Sequence, residues 1–89
     1  MKAVISVTGK DSVGIIAKVS AGCATFDVNI LDISQTVLKG YFSMLMVVDI
    51  DSINAPFTDF VDGMAKLGEE NNLYISTMHE DIFNSMHRI

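Results

Sequence analysis

Arginine is nearly absent from this sequence. Arg88 is the only one and lies at the far C-terminus, while Lys and Arg together number 6 against 11 Asp and Glu. A phosphate backbone is held by clustered Lys and Arg. The chain has no such cluster and carries a net charge of −5, so nucleic acid is excluded as an expected partner. Cysteine is just as scarce. Cys23, flanked by Ala21 and Ala24 in a helix-patterned run, can close no intrachain disulfide and build no thiolate metal cluster. It reads as a buried thiol. The longest apolar run, Met44 to Val48, falls far short of the ~20 residues of a membrane-spanning helix, and no basic segment leads into it. These absences predict a cytoplasmic chain, neither secreted nor membrane-spanning, with no metal or other cofactor.

What remains is apolar: 49% of the 89 residues are hydrophobic and 19% charged, enough for one small domain over 1–89 with a real core. A domain of this size buries only about 60–65% of its unfolded surface, and oligomerisation is a common way to gain more.

Residues 2–8 alternate, with Ala3, Ile5 and Val7 on one face, as in a half-buried strand. Asp11 or Ser12 is placed to N-cap a helix from Val13 to Phe26. Its broad apolar side holds Ile15, Ile16, Val19, Cys23 and Phe26, with Val13 at the margin. Ile30–Leu38 is rich in β-branched residues and reads as a second strand. Lys39-Gly40 is a tight hairpin turn, leading into a third strand, Tyr41 to Ile50, with Phe42, Met44, Met46, Val48 and Ile50 on one face. Pro56, the only proline, sits where a first helical turn tolerates it. Phe57, Phe60, Val61, Met64 and Leu67 then recur at helical spacing, and that helix ends between Gly68 and Asn72. Leu73–Met78 is a fourth strand, and Ile82, Phe83, Met86 and Ile89 outline a short C-terminal helix.

The order β-α-β-β-α-β, with right-handed crossovers, gives an α+β, ferredoxin-like sandwich: a four-stranded antiparallel sheet with both long helices on one face. Val4, Leu45 and Val47 would then form an apolar stripe on the opposite face, and a second copy is expected to cover it. The fold does not decide the function. A phosphate-handling enzyme of acylphosphatase type needs an arginine in the first loop, which offers only Lys10. A metal carrier needs paired cysteines there. An RNA binder needs exposed aromatics on the central strands and basic edges, which Tyr41 and Tyr74 alone do not supply. No Ser-His-Asp, Cys-His or paired-carboxylate spacing is present, and His79 and His87 flank the C-terminal helix as edge residues.

One stretch stands apart. Gly9-Lys10-Asp11-Ser12-Val13-Gly14-Ile15-Ile16 joins the first strand to the first helix, whose unpaired backbone N–H groups and dipole attract carboxylates and phosphates. Asp-x-x-Gly-Ile at 11–15, followed by Asn29-Ile30 at the second strand, resembles the ACT domain. The likeness covers essentially the whole chain in element order, and Ile-Ser-Gln-Thr-Val at 33–37 before the hairpin, with the short final helix, resembles the small stand-alone bacterial single-ACT-domain proteins of unassigned function. Val13 stands where the family often has proline.

The resemblance implies a regulatory, non-enzymatic domain that binds a small ligand, most often an amino acid, across a homodimer interface. Carried over, Asp11 and Asn29 would hold the ligand's ammonium and amide-type groups. Backbone N–H groups from Ser12, Val13, Gly14 and Ile15 would take its carboxylate, with Ile30 beside Asn29. Each residue also has a plainer role. Asp11 caps a helix, Gly14 relieves helix–strand crowding, and Asn29 favours a turn. Ser34, Gln35 and Thr36 face either a site or solvent. The alternative function is a protein-interaction module that dimerises and binds no metabolite; an enzyme is the weakest of the three readings.

Overall fold

The computed structural model describes residues 1–87. Seven elements follow in order: β1 (Lys2–Lys10), α1 (Ile15–Thr25), β2 (Asn29–Leu38), β3 (Tyr41–Asp49), α2 (Phe57–Glu70), β4 (Leu73–His79) and α3 (Glu80–Met86). The strands form one antiparallel sheet in the order β2-β3-β1-β4, the ferredoxin-like arrangement the element order demands. The outer end of the C-terminal helix pattern, Ile89, and the lone Arg88 lie outside the described residues.

The core fills the space between the sheet and the two long helices. Ile5 and Val7 of β1, Met44, Met46 and Val48 of β3, Val19 and Cys23 of α1, and Phe60 and Met64 of α2 are all fully buried there. The alternating face expected of the third strand is the one that packs inward. Phe26 and Phe60 meet edge to face with ring centroids 5.3 Å apart, locking the end of α1 to α2. Burial pushes the Cys23 thiol up to about 11, because a thiolate there would lose its hydration.

The helix starts differ from the sequence expectation. Neither Asp11 nor Ser12 caps α1. β1 runs on to Lys10, and the Asp11 N–H donates to the Gly40 carbonyl of the β2–β3 hairpin at 2.8 Å, so this residue still belongs to the sheet end. The chain then turns through Gly14, which holds the N-cap position in the left-handed conformation (φ 86°) with no side-chain cap. The first helical bond runs from the Lys18 N–H to the Gly14 carbonyl at 3.0 Å. A Cβ at Gly14 would meet only Lys18 Cε, at 3.9 Å; the glycine is required by its backbone angle, not by crowding. Phe26 is the C-cap of α1 and not its last turn.

Two of the residues assigned to the apolar side of α1 are not buried: Val13 is 96% exposed and Ile16 38%. Val13 precedes the helix, and Ile16 sits on the flank toward β2, the edge strand of the sheet. Crowding does occur at Gly68, which lies inside α2. A Cβ there would stand 2.7 Å from the Leu73 carbonyl oxygen, so glycine permits close approach of α2 to β4. Pro56 is the N-cap of α2, one residue ahead of its first turn.

The second face of the sheet is only partly covered. α3 packs on it against β1 and β4. On that face Val4 is buried and Val47 half-buried, leaving Leu45 as the exposed member of the expected stripe. A larger apolar surface lies along β2. β2 is an edge strand, and Leu31, Ile33, Val37 and Leu38 are all exposed along it.

Candidate functional site

The end of the molecule that carries the Gly9–Ile16 stretch holds a pocket of about 340 Å³. Its rim is Asp11, Ser12 and Gly14, and one wall is the first turn of α1, Ile15 to Ala17. The other wall is the helix-facing side of β2, Gln35 and Val37, and Phe42 forms the floor. The two-residue hairpin fixes this arrangement. Lys39 and Gly40 both have positive φ, 53° and 81°, as a tight turn matched to the strand twist requires. Val37 is thereby paired with Phe42 and Gln35 with Met44. Because Phe42 and Met44 point into the core, Val37 and Gln35 point to the helix side and so into the pocket.

The electrostatics of the pocket are two-signed. The N–H groups of the first turn of α1 precede the first helical bond and therefore have no acceptor within the helix. No side chain caps them and no acidic residue lies in that turn, so the positive end of the helix dipole is not neutralised locally. The Asp11 carboxylate stands at the rim with the opposite sign, and Gln35 adds an amide that both donates and accepts. Such a pocket has donors for a carboxylate at one side and an acceptor for an ammonium at the other.

Asp11, Ser12, Gly14 and Ile15 thus come together as the sequence placed them. Val13 lies between them but points to solvent. Asn29 and Ile30 do not join them within one chain. Asn29 is in register with Asp49, which is in register with Lys2, at the opposite end of the sheet from Lys10, Tyr41 and Leu38. Nine residue steps of strand separate Asn29 from Leu38, about 30 Å at the usual rise. Gln35, Val37 and Phe42 are pocket residues that residue-type reasoning left out or left open. The hairpin register was the signal that could have found them.

Groups of three or more His, Cys, Asp or Glu side chains able to hold a metal are absent among the described residues. No helix there is long and apolar enough to cross a membrane.

The ACT domain family profile matches residues 2–73. A UPF0237 protein of Clostridium perfringens is 49% identical over 89 residues, covering 100% of both chains. The solved ACT domain protein of Streptococcus pneumoniae is 43% identical with a TM-score of 0.82, covering 93% of each chain. A formyltetrahydrofolate deformylase of Pseudomonas syringae shares the fold at 23% identity and a TM-score of 0.78, with 27% of that longer chain covered. The left-handed glycine ahead of α1, the four-strand order and these matches agree: the chain belongs to the ACT domain family of small regulatory, ligand-binding domains.

Proposed function

We propose that this chain is a non-enzymatic regulatory domain that binds an amino acid at a homodimer interface. The observation that carries the reading is the pairing of opposite signs in the loop pocket. A zwitterion needs donors for its carboxylate and acceptors for its ammonium a few ångströms apart, and the start of α1 and Asp11 supply them. Glycine at position 14 leaves the backbone open to the ligand.

The dimer part of the reading rests on β2. Its outer edge is unpaired in the single chain and its apolar residues are exposed, a combination that invites strand pairing. An antiparallel pairing of β2 with its copy about the middle of the strand reverses its direction. Asn29 of the partner subunit then arrives beside Val37 and Leu38, at the mouth of the loop pocket. Two groups about 30 Å apart in one chain would meet across two.

The absence of catalysis is part of the proposal: Cys23 is sealed in the core as a thiol, and the described pocket lining sets Asp11 beside the Ser12 hydroxyl with no histidine, cysteine or lysine to activate it. The same exposed strand supports the second reading, a dimerisation module without a metabolite, since strand pairing alone would bury it.

Thermal shift against the twenty amino acids separates the two. A ligand binding only the native state adds about 2.7 kcal/mol at a hundredfold excess over its Kd. Asp11→Asn should weaken such a ligand about tenfold or more, since a charge-assisted hydrogen bond is lost. Its own melting temperature should barely move, because Asp11 caps no helix. Asn29→Ala should act the same way, and sedimentation should show a dimer at low micromolar concentration. A ligand whose affinity ignores both substitutions would place the site elsewhere, and a dimer with no amino-acid response would favour the second reading.

A further inference from the structure

A second concavity lies on the outer face of the sheet, on the side away from α1 and α2. It has a volume of about 370 Å³ and lies open to solvent between β1, β3, β4 and α3, within the size range of small-molecule sites. Its floor is a trough of small residues. Ser6 on the central strand is directly opposite Ser76 of β4 and Leu45 of β3, and Ser43 lies one step along, opposite Thr8. Where the inward face of the same strands carries Ile5, Val7 and Met44, the outward face carries serines, and the missing volume is the trough.

The walls are of another kind. Tyr74 and Met78 rise from β4, and Phe83 and His87 come down from α3, their rings stacked 4.0 Å apart at 30°. The His87 ring nitrogen Nδ1 is engaged with the Phe83 carbonyl at 2.8 Å, which leaves Nε2 as the ring's free polar atom. Among the described residues, no Lys, Arg, Asp or Glu lines this trough.

We infer that this groove is a second ligand site, independent of the loop pocket, and that it takes a neutral, planar heteroaromatic compound of nucleobase type. Two features of the lining select that chemistry. Aromatic rings and a thioether on the walls favour a flat π-system, through offset stacking and sulfur–ring contact. Serine hydroxyls along the floor and the phenol of Tyr74 each donate or accept, so they match the mixed donor and acceptor edge of a heterocycle. An alkyl chain would leave those hydroxyls desolvated without partners, and a zwitterion would leave both its charges unpaired. A second copy of the chain fits less well, because α3 stands over one end of the face and blocks a flat sheet-to-sheet contact.

The test is an NMR titration of the full chain, following backbone amides, with adenine as probe, indole as a ring lacking most of the polar edge, and glycine as a zwitterion. Adenine should shift the amides of Ser6, Ser43, Ser76 and α3 and leave those of Ser12 to Ile15 in place. Indole should bind the same residues about tenfold more weakly, and glycine should not shift them. Ser6→Leu, which fills the trough, should abolish the adenine response, and Ser76→Ala should weaken it about three- to tenfold. If Ser6→Leu does not fold, Ser43→Ala and Phe83→Ala carry the test, each with a loss of similar size.

Adenine that leaves the groove amides unmoved, or that binds with affinity indifferent to these variants, overturns the inference. So do groove amides that shift with protein concentration alone, since a second copy would then occupy the face. Amino-acid binding at Asp11 is read from other amides, so either site can fail without the other.

Discussion

The loop pocket and the outer-face groove have nearly the same volume, about 340 and 370 Å³, and almost opposite chemistry. The first is built where elements end. A strand, a hairpin and a helix start leave a carboxylate and unpaired N–H groups exposed together. The second is built in the middle of strands, where β1 and β3 are paired on both sides and side chains supply the floor and walls. Size therefore says little about what each could hold; the origin of the polar groups says more. Backbone donors at a helix start carry partial charge and suit a charged ligand, whereas hydroxyls on a pleated face are neutral and adaptable.

The comparison breaks first, and most severely, at the core that both regions share. Phe60 is fully buried and packs edge to face on Phe26. Phe60→Ala should cost ~3–5 kcal/mol, a large part of a small domain's stability. Denaturant unfolding should show the loss, and any ligand response at either pocket should vanish with it.

Alkaline pH acts on the same core through Cys23. Its folded-state value is raised from 9.0 to about 11, so the unfolded chain ionises first. The contribution is complete below pH 9.0 and is lost as pH climbs to about 11, amounting to ~2–3 kcal/mol. Cys23→Ala should remove that part of the alkaline loss, which comparing the two chains' unfolding free energies from pH 8 to 11 will reveal.

A sharper separation comes from Gly14→Val. The position has φ 86° with open space around it, so the penalty is conformational, ~1–2 kcal/mol and more for a β-branched residue. It should abolish amino-acid binding in calorimetry while leaving amide shifts on the outer face unchanged. The smallest effect is expected on the other side. His79 Nδ1 accepts the Asp81 N–H at 3.3 Å and caps α3. His79→Ala should weaken that short helix by ~1 kcal/mol, raising hydrogen exchange in α3 and loosening the groove without touching the loop.

How legible each region was in the sequence follows from the same distinction. The loop announced itself because its residues are contiguous: Asp11 to Ile15 could be read as one stretch, and the alternation of β1 with the helical spacing of α1 bracketed it. Its cap was misassigned because capping preference favours Asp and Ser, while the actual turn needed a positive φ that only Gly14 supplies cheaply. The contribution of Gln35 and Val37 depended on hairpin register, which the Lys39-Gly40 turn encodes but residue types do not. Ser6, Ser43 and Ser76 come from three strands, and nothing in their separate surroundings marks them as neighbours. The exposure of Leu31, Ile33, Val37 and Leu38 was hidden for a related reason. The expected fold already puts β2 at an edge, but residue types there, rich in β-branched side chains, look like those of a central strand.

That edge has a consequence for how a cell could use such a domain. Were β2 to pair with its copy and complete the loop pocket, ligand affinity would no longer be a fixed constant of the chain. Each ligand molecule bound would favour association, and each association event would favour ligand, by the same factor in both directions. Doubling the amount of protein would then lower the ligand level needed for a response. The threshold would be set jointly by the metabolite and by the abundance of its sensor, so expression level itself would act as the tuning dial.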